Sequence, residues 1–192
     1  MKKKIFLVIN FLLIISLIII EYKYQSRLTN FDLKISEFVW SFRNPILTDV
    51  MKFFSFLSST KFIIIVLIIY IIIKRDIYFP LNMSLITILN QILKRIIKRQ
   101  RPSNYLVKEK NYSFPSGHSM ASCAFYGYII YKIYNSNYNK YFKIFSIIMC
   151  ILIVLLVGLS RIYLGVHYFS DVICGYLLSI EHLIVFISVT KK

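Results

Sequence analysis

The sequence predicts an all-α polytopic membrane protein. It would be a single domain, residues 1–192, with six transmembrane helices in a bundle and a short interfacial amphipathic helix between the first two. Three observations carry this. Of the 192 residues, 58% are hydrophobic and the mean hydropathy is +0.67, more apolar surface than a water-facing exterior tolerates. Apolar runs repeatedly approach the ~20 residues that cross a bilayer as a helix. The charges gather between those runs, and a backbone in lipid must satisfy its own hydrogen bonds, which leaves a helical bundle.

The elements follow in order. MKKK precedes an apolar stretch from Ile5 to Ile20. No small-x-small cleavage site follows it, only Glu21-Tyr22-Lys23-Tyr24, so the expectation is a retained first helix and not a removed leader. Between Asn30 and Pro45, Phe31, Ile35, Phe38, Val39 and Phe42 recur at helical spacing beside Lys34, Glu37 and Arg43. With Trp40 suited to the bilayer interface, this predicts a helix lying on the membrane surface. The second span is expected at 53–73, stopped by Lys74-Arg75-Asp76, and the third near 77–97, with Pro80 in its first turn where a missing N–H costs little. The fourth runs from about Gly117 to Tyr134, the fifth from Ile144 to Leu159 and the sixth from about Tyr168 to Val189. No internal repeat is visible.

The net charge is +16, from 24 Lys and Arg against 8 Asp and Glu. With the cations set between apolar spans, the implied partners are the bilayer and anionic lipid head groups, not nucleic acid. An even span count puts both termini on one side. MKKK, Lys74, Arg75, Lys132, Lys140, Lys143 and Lys191-Lys192 suggest that this side is cytoplasmic. More than half of the cations then lie on the outer face, where a role other than topology must hold them. Cys123, Cys150 and Cys174 sit in apolar stretches without CxxC spacing and are expected to be core residues, neither disulfides nor metal ligands.

On that topology three polar stretches emerge on the outer face. LKRIIKRQRP places Lys94, Lys98 and Arg101 on one helical face, with the helix expected to end around Arg101 because Pro102 follows. FPSGHS opens the fourth span: Pro115 and Ser116 suit a helix entry, Gly117 lets a ligand approach the backbone, and the free N–H groups there suit a phosphate. His118 lies beside that site with a proton to give. SRIYLGVHYFSD places His167 and Asp171 at i and i+4, so that a carboxylate can orient one imidazole nitrogen and leave the other as a nucleophile. Arg161 adds a planar fork of donors for phosphate oxygens. Each stretch alone has a plainer explanation: a lipid anchor, a helix cap, a charged loop. Together they are equipment for phosphoryl transfer.

These residues resemble the type 2 phosphatidic acid phosphatase superfamily. Its K-x6-RP block is matched by Lys94 to Arg101-Pro102, its PSGH block by Pro115 to His118, and its SR-x5-H-x3-D block by Ser160-Arg161, His167 and Asp171. Ser103 follows Arg101-Pro102 where many bacterial relatives carry another basic residue. The resemblance implies a phosphohistidine formed on His167, oriented by Asp171, with His118 protonating the leaving oxygen and then activating water. It further implies that Lys94, Arg101, Arg161, Ser116 and the Gly117 backbone hold the phosphoryl oxygens, and that no metal or other cofactor is needed. Beside the histidines only Asp171 and Glu109 supply acids, too few for a two-metal clamp.

The expected substrate is a membrane lipid phosphate or diphosphate at the outer face of a bacterial cytoplasmic membrane. Undecaprenyl diphosphate leads, ahead of phosphatidylglycerol phosphate and phosphatidic acid. A phosphotransferase would use the same motifs, whereas a non-catalytic lipid binder or transporter would need neither His118 nor the His167–Asp171 spacing. Glu181-His182, deep in the sixth span, is expected to be structural or interfacial. Asn90-Gln91 could be interhelical glue or pocket lining. Tail preference and oligomeric state are not legible.

Overall fold

In the computed structural model of the chain, residues 12, 15, 16, 19, 23 and 29–190 are described. Residues 12, 15, 16, 19 and 23 are helical, and the rest of the first predicted span lies outside the described residues, as do Lys191 and Lys192. Helical residues 29–40 form α1. There follow α2 (Pro45–Phe56), α3 (Thr60–Lys74), α4 (Tyr78–Ile97), α5 (Gly117–Tyr134), α6 (Lys140–Tyr163) and α7 (Phe169–Thr190). The architecture is all-helical among the described residues.

Local chemistry sets the helix starts. The Asn44 side chain accepts from the Leu47 N–H at 2.9 Å with Pro45 as the first helical residue, so α2 begins there. Ser59 caps α3 through the Phe62 N–H, and Asn139 caps α6 through the Tyr141 N–H. Each cap supplies an acceptor to a backbone donor that has no partner inside its own helix.

Two expectations are corrected. The predicted second span at 53–73 is two helices, α2 and α3, bent by 42° across residues 57–59. Ser58 turns its hydroxyl back to the Ser55 carbonyl at 3.1 Å, and Ser59 starts the next helix. Serines that hydrogen-bond locally compete with the helical ladder, and here they end it. The helix carrying Lys94 also ends earlier than expected, at Ile97. Lys98 adopts a left-handed conformation, φ 53°, and its N–H closes on the Lys94 carbonyl. Lys94, Lys98 and Arg101 therefore share no helical face. The chain past Lys98 instead doubles back, with the Ser113 N–H donating to the Arg99 carbonyl at 2.8 Å.

Helix α1 shows two faces. Phe31, Phe38 and Phe42 are exposed, whereas Asp32 and Ser36 are fully buried. The Trp40 indole donates to the Ile162 carbonyl at 2.9 Å, tying this segment to the end of α6. The inward face of α1 is thus partly polar, which bears directly on the site.

The core lies where α4, α5 and α7 meet, with α3 contributing Ile63 and Leu67. Phe79 stacks on Tyr128 at 4.8 Å and meets Phe125 at 5.0 Å and Tyr70 at 5.1 Å; such pairs add about 0.5–1.5 kcal/mol each beyond burial. Helix α3 reaches the bundle mainly through side chains of this kind and stands off from the other backbones. Helices α6 and α7 are close packed. A Cβ on Gly158 would lie 2.7 Å from Val172 and collide with the Tyr176 hydroxyl, which donates to the Val154 carbonyl at 2.6 Å.

By length and composition α6 and α7 can each cross a membrane, and the bent pair α2–α3 meets the same measure when taken as one span. Helices α4 and α5 are less apolar because they keep polar residues inside the bundle. Asn82, Asn90 and Lys94 on α4, and Ser119 and Ser122 on α5, are all buried.

Candidate active site

The end of α6 and the start of α7 place the reactive pair. Helix α6 stops at Tyr163, Gly165 turns the chain at φ +71°, and the Val166 and His167 N–H groups return to the Arg161 carbonyl. His167 therefore precedes α7 instead of riding on it, and the loop brings it to Asp171. Nδ1 of His167 lies 3.3 Å from Oδ2 of Asp171, and both residues are buried. The same Oδ2 accepts from the Tyr168 N–H at 3.0 Å.

The other imidazole nitrogen settles the tautomer. Nε2 of His167 faces Nη1 of Arg101 at 3.2 Å. A guanidinium has donors only, so Nε2 is the acceptor and the ring proton sits on Nδ1, where it donates to Asp171. The His167 pKa is pushed well below the usual histidine range, first by burial and then by Arg101, Lys94 and Arg161. A neutral imidazole results, with its lone pair on Nε2.

The cations around Nε2 are held largely by neutral groups. Arg101 donates to the carbonyls of Asn111 (2.9 Å), Lys110 (3.1 Å) and Val166 (2.7 Å). Lys94 donates to the carbonyls of Tyr112 (2.6 Å) and Ser113 (3.2 Å). Carbonyls orient these charges without cancelling them, so a positive field remains for an anion. Arg161 donates to the Ser55 hydroxyl and, at 2.6 Å, to Glu109, while its buried Nε has no hydrogen-bond partner.

The start of α5 forms the facing wall. Ser116 is its N-cap: its hydroxyl accepts from the Ser119 hydroxyl at 2.8 Å, and its N–H donates to the Asp171 carbonyl at 3.1 Å. That second bond locks the entry of α5 to the first turn of α7. Asn90 braces the same entry by donating to the Pro115 carbonyl at 3.0 Å. A Cβ on Gly117 would sit 3.2 Å from Oδ1 of Asn90, so the missing side chain permits this close seat.

His118, Gly117, Lys94, Arg101 and His167 all border one cavity of about 570 Å³. Its other end is apolar, walled by residues such as Ile63, Leu67, Met83 and Ile86 of α3 and α4. An anion-attracting head thus joins a greasy channel that runs toward the standoff helix α3. Of the expected site residues, Lys94, Arg101, Gly117, His118 and His167 reach this cavity. Asp171 and Arg161 support it from behind, and Ser116 sets the helix start. Among the described residues no group of three or more His, Cys, Asp or Glu side chains gathers as a metal-ligand set.

Sequence reasoning missed Arg99 and Asp32. Nη1 of Arg99 donates to Oδ1 of Asp171 at 2.8 Å and Nη2 to Oδ2 of Asp32 at 2.7 Å, with both carboxylates fully buried. The only trace of this in the sequence was a second arginine two positions before Arg101. Deep in the bundle, Nε2 of His182 meets Oδ1 of Asn82 at 2.9 Å, a contact between α7 and α4 well away from the cavity head.

Comparison with known proteins gives this geometry a family. Residues 77–192 match the model of the PAP2 superfamily. The chain is 33% identical over 158 residues to phosphatidylglycerophosphatase B of Bacillus subtilis (strain 168), covering 78% of each protein. Its fold matches the crystal structure of a transmembrane PAP2-type phosphatidylglycerolphosphate phosphatase from Bacillus subtilis with a TM-score of 0.83, at 29% identity, over 95% of this chain and 94% of that one. The crystal structure of Aquifex aeolicus LpxE shares the fold at a TM-score of 0.67 and 24% identity, over 83% of this chain and 94% of that one. The three motif blocks, the cavity they enclose and these matches agree: the chain belongs to the PAP2 superfamily, as one of its membrane lipid phosphatases.

Proposed function

We propose that the enzyme hydrolyses a lipid phosphate in two steps through a phosphohistidine on His167. The observation that carries this is the lone pair of Nε2, opening on the cavity head among Arg101, Lys94 and His118. In the first step Nε2 attacks phosphorus, an N–P bond forms, and the bond from phosphorus to the lipid oxygen breaks. The ring becomes cationic, and Asp171 stabilises it through the Nδ1–H. His118, entering as the imidazolium, gives its proton to the departing oxygen and is left neutral. In the second step His118 takes a proton from water, the water oxygen bonds to phosphorus, and the N–P bond breaks to release inorganic phosphate.

Arg101, Lys94 and the free N–H groups at the start of α5 hold the phosphoryl oxygens as charge moves onto them, and Arg161 adds positive charge from behind the cavity wall. Ser116 serves this cradle by capping the helix. Arg101 and Lys94 supply positive charge at the cavity head, which supports a reaction that needs no metal.

The substrate proposed first is phosphatidylglycerophosphate, because the relative at 33% identity is a phosphatidylglycerophosphatase. Undecaprenyl diphosphate, expected from the sequence, and phosphatidic acid are the comparison arms of a substrate panel. The cavity is too small for two full acyl chains, so the tails would leave it past α3 into the bilayer. We place six spans in the membrane, counting α4 and α5 because their polar residues face inward. Both termini would lie in the cytoplasm of a bacterial cell, with the site facing outward.

The test is phosphate release by purified protein in detergent micelles with EDTA. His167→Ala is expected to lower the rate at least ~10³-fold, the scale of losing a nucleophile, and to abolish acid-labile labelling of the protein. Normal phosphate release by that variant would overturn the mechanism. Transfer of labelled phosphate to an added alcohol in preference to water would mark a phosphotransferase.

A further inference from the structure

Asp171 meets its histidine through Oδ2, and its second oxygen points the other way. Oδ1 receives Nη1 of Arg99 at 2.8 Å, and Arg99 is 1% exposed. That guanidinium lies 4.3 Å over the Tyr168 ring and donates through Nη1 to the Ser170 hydroxyl at 2.7 Å. Its other arm reaches Oδ2 of Asp32 at 2.7 Å and the Thr29 hydroxyl at 3.3 Å, both on α1. Asp32 in turn accepts from the Ser170 N–H at 2.9 Å and the Ser170 hydroxyl at 2.6 Å, in the first turn of α7.

A carboxylate on α1 is therefore joined through one arginine to the carboxylate that orients the nucleophile. Asp32 lies well before residues 77–192, the part matched by the family model. Nothing in the cavity lining includes Asp32 or Arg99. Their effect on the reaction must pass through Asp171.

We propose that Asp32 and Arg99 are positioning residues that set the orientation and effective charge of Asp171, and through it the nucleophilicity of His167. This rests on His167 as the attacking group. The planar guanidinium has donors for both carboxylates at once and fixes their relative placement. Its single positive charge is shared between two negative ones, so Asp171 keeps net negative character toward the imidazole. Without Asp32, more of the Arg99 charge would fall to Asp171 and neutralise it more fully. The His167 ring would then gain less stabilisation as it becomes cationic. The buried setting makes such charge sharing stronger than it would be in water.

The test uses Asp32→Asn and Arg99→Lys in the full-length protein. Asp32→Asn keeps the shape of the side chain and removes one negative charge. Its kcat is expected to fall about ten-fold, the size seen when outer partners of a working carboxylate–histidine pair are removed, while KM stays within about two-fold because neither residue borders the cavity. The acid limb of kcat/KM should move to lower pH by about half to one unit, since the net positive change disfavours protonated His167. Arg101, Lys94, Arg161, His118 and Asp171 also face this imidazole, and the substrate ionises as well, but all of these are common to both proteins.

Arg99→Lys keeps the charge and loses the fork, so it should leave the acid limb in place and still lower kcat. A ten-fold loss in Asp32→Asn with an unmoved limb, or an equal rise in KM, would show a merely structural role and overturn the proposal. If Asp32→Asn fails to fold, Arg99→Lys decides alone, and a wild-type kcat there overturns it. His167→Ala tests the underlying mechanism separately: its failure would remove the nucleophile, whereas failure of the Asp32 test would leave the nucleophile standing.

Discussion

At the residue scale the site depends on keeping His167 neutral and directional. Its pKa is depressed first by burial and then by Arg101, Lys94 and Arg161. The sign of the consequence follows from linkage. Below the ordinary value of about 6.5 the unfolded chain takes up a proton that folded His167 refuses, so stability falls as pH drops through that value. Thermal midpoints in detergent should therefore decline between about pH 6.5 and 5, and His167→Asn should flatten that decline. An equally steep decline in the variant would mean that other groups carry it. Arg101 touches Nε2 itself and should be needed for the chemistry. Arg101→Ala is expected to lower kcat/KM by roughly 10²-fold or more, as when an electrostatic clamp is removed; steady-state kinetics on a lipid phosphate would show it.

At the element scale α6 and α7 approach closely at Gly158. Gly158→Ala would drive a methyl group into Val172 and Tyr176. It should destabilise the protein by about 1–3 kcal/mol, as overpacking does. Because the last turn of α6 carries Arg161 and α7 begins beside His167, activity should fall with it. Adding Tyr176→Phe removes the clashing hydroxyl and should restore part of the melting temperature, read by thermal unfolding in detergent. No recovery would mean that Val172 sets the limit. The serines at 55, 58 and 59 act at the same scale, breaking one predicted span into two helices and leaving the Ser55 hydroxyl to Arg161.

At the scale of the whole molecule, the cavity joins a cationic head to an apolar channel beside α3. Leu67→Trp would fill that channel without touching the head. KM for a long-chain lipid phosphate should rise about ten-fold, the scale of one ill-fitting apolar contact, while a short water-soluble phosphate monoester should be turned over as before. An equal loss on both substrates would place the defect in folding, not in tail binding. The proposed orientation has its own test. Ser103 is exposed in the loop after α4, whereas the neighbouring Asn104 holds Arg43 at 2.8 Å. A single cysteine at Ser103 should react with an impermeant reagent added to intact cells; protection would invert the topology.

Several features were legible because they are local. Composition and apolar runs determined a helical membrane bundle, since lipid leaves the backbone no other solution. The start of α5 at Gly117 followed from a Pro-Ser-Gly cap, and the pairing of His167 with Asp171 followed from a four-residue spacing that a loop delivers as well as a helix would. Tertiary structure alone decided where α4 ends and which arginine does what. Arg99 and Arg101 are two residues apart, yet one turns inward to Asp32 and Asp171, and the other turns to Nε2 of His167. Nothing adjacent in sequence distinguishes them. Their partners lie 66 to 72 positions away, and only the fold brings those carboxylates and that imidazole to opposite sides of one loop. The sequence by itself thus named the reacting groups, while the packing of α1 against α7 decided what stands behind them.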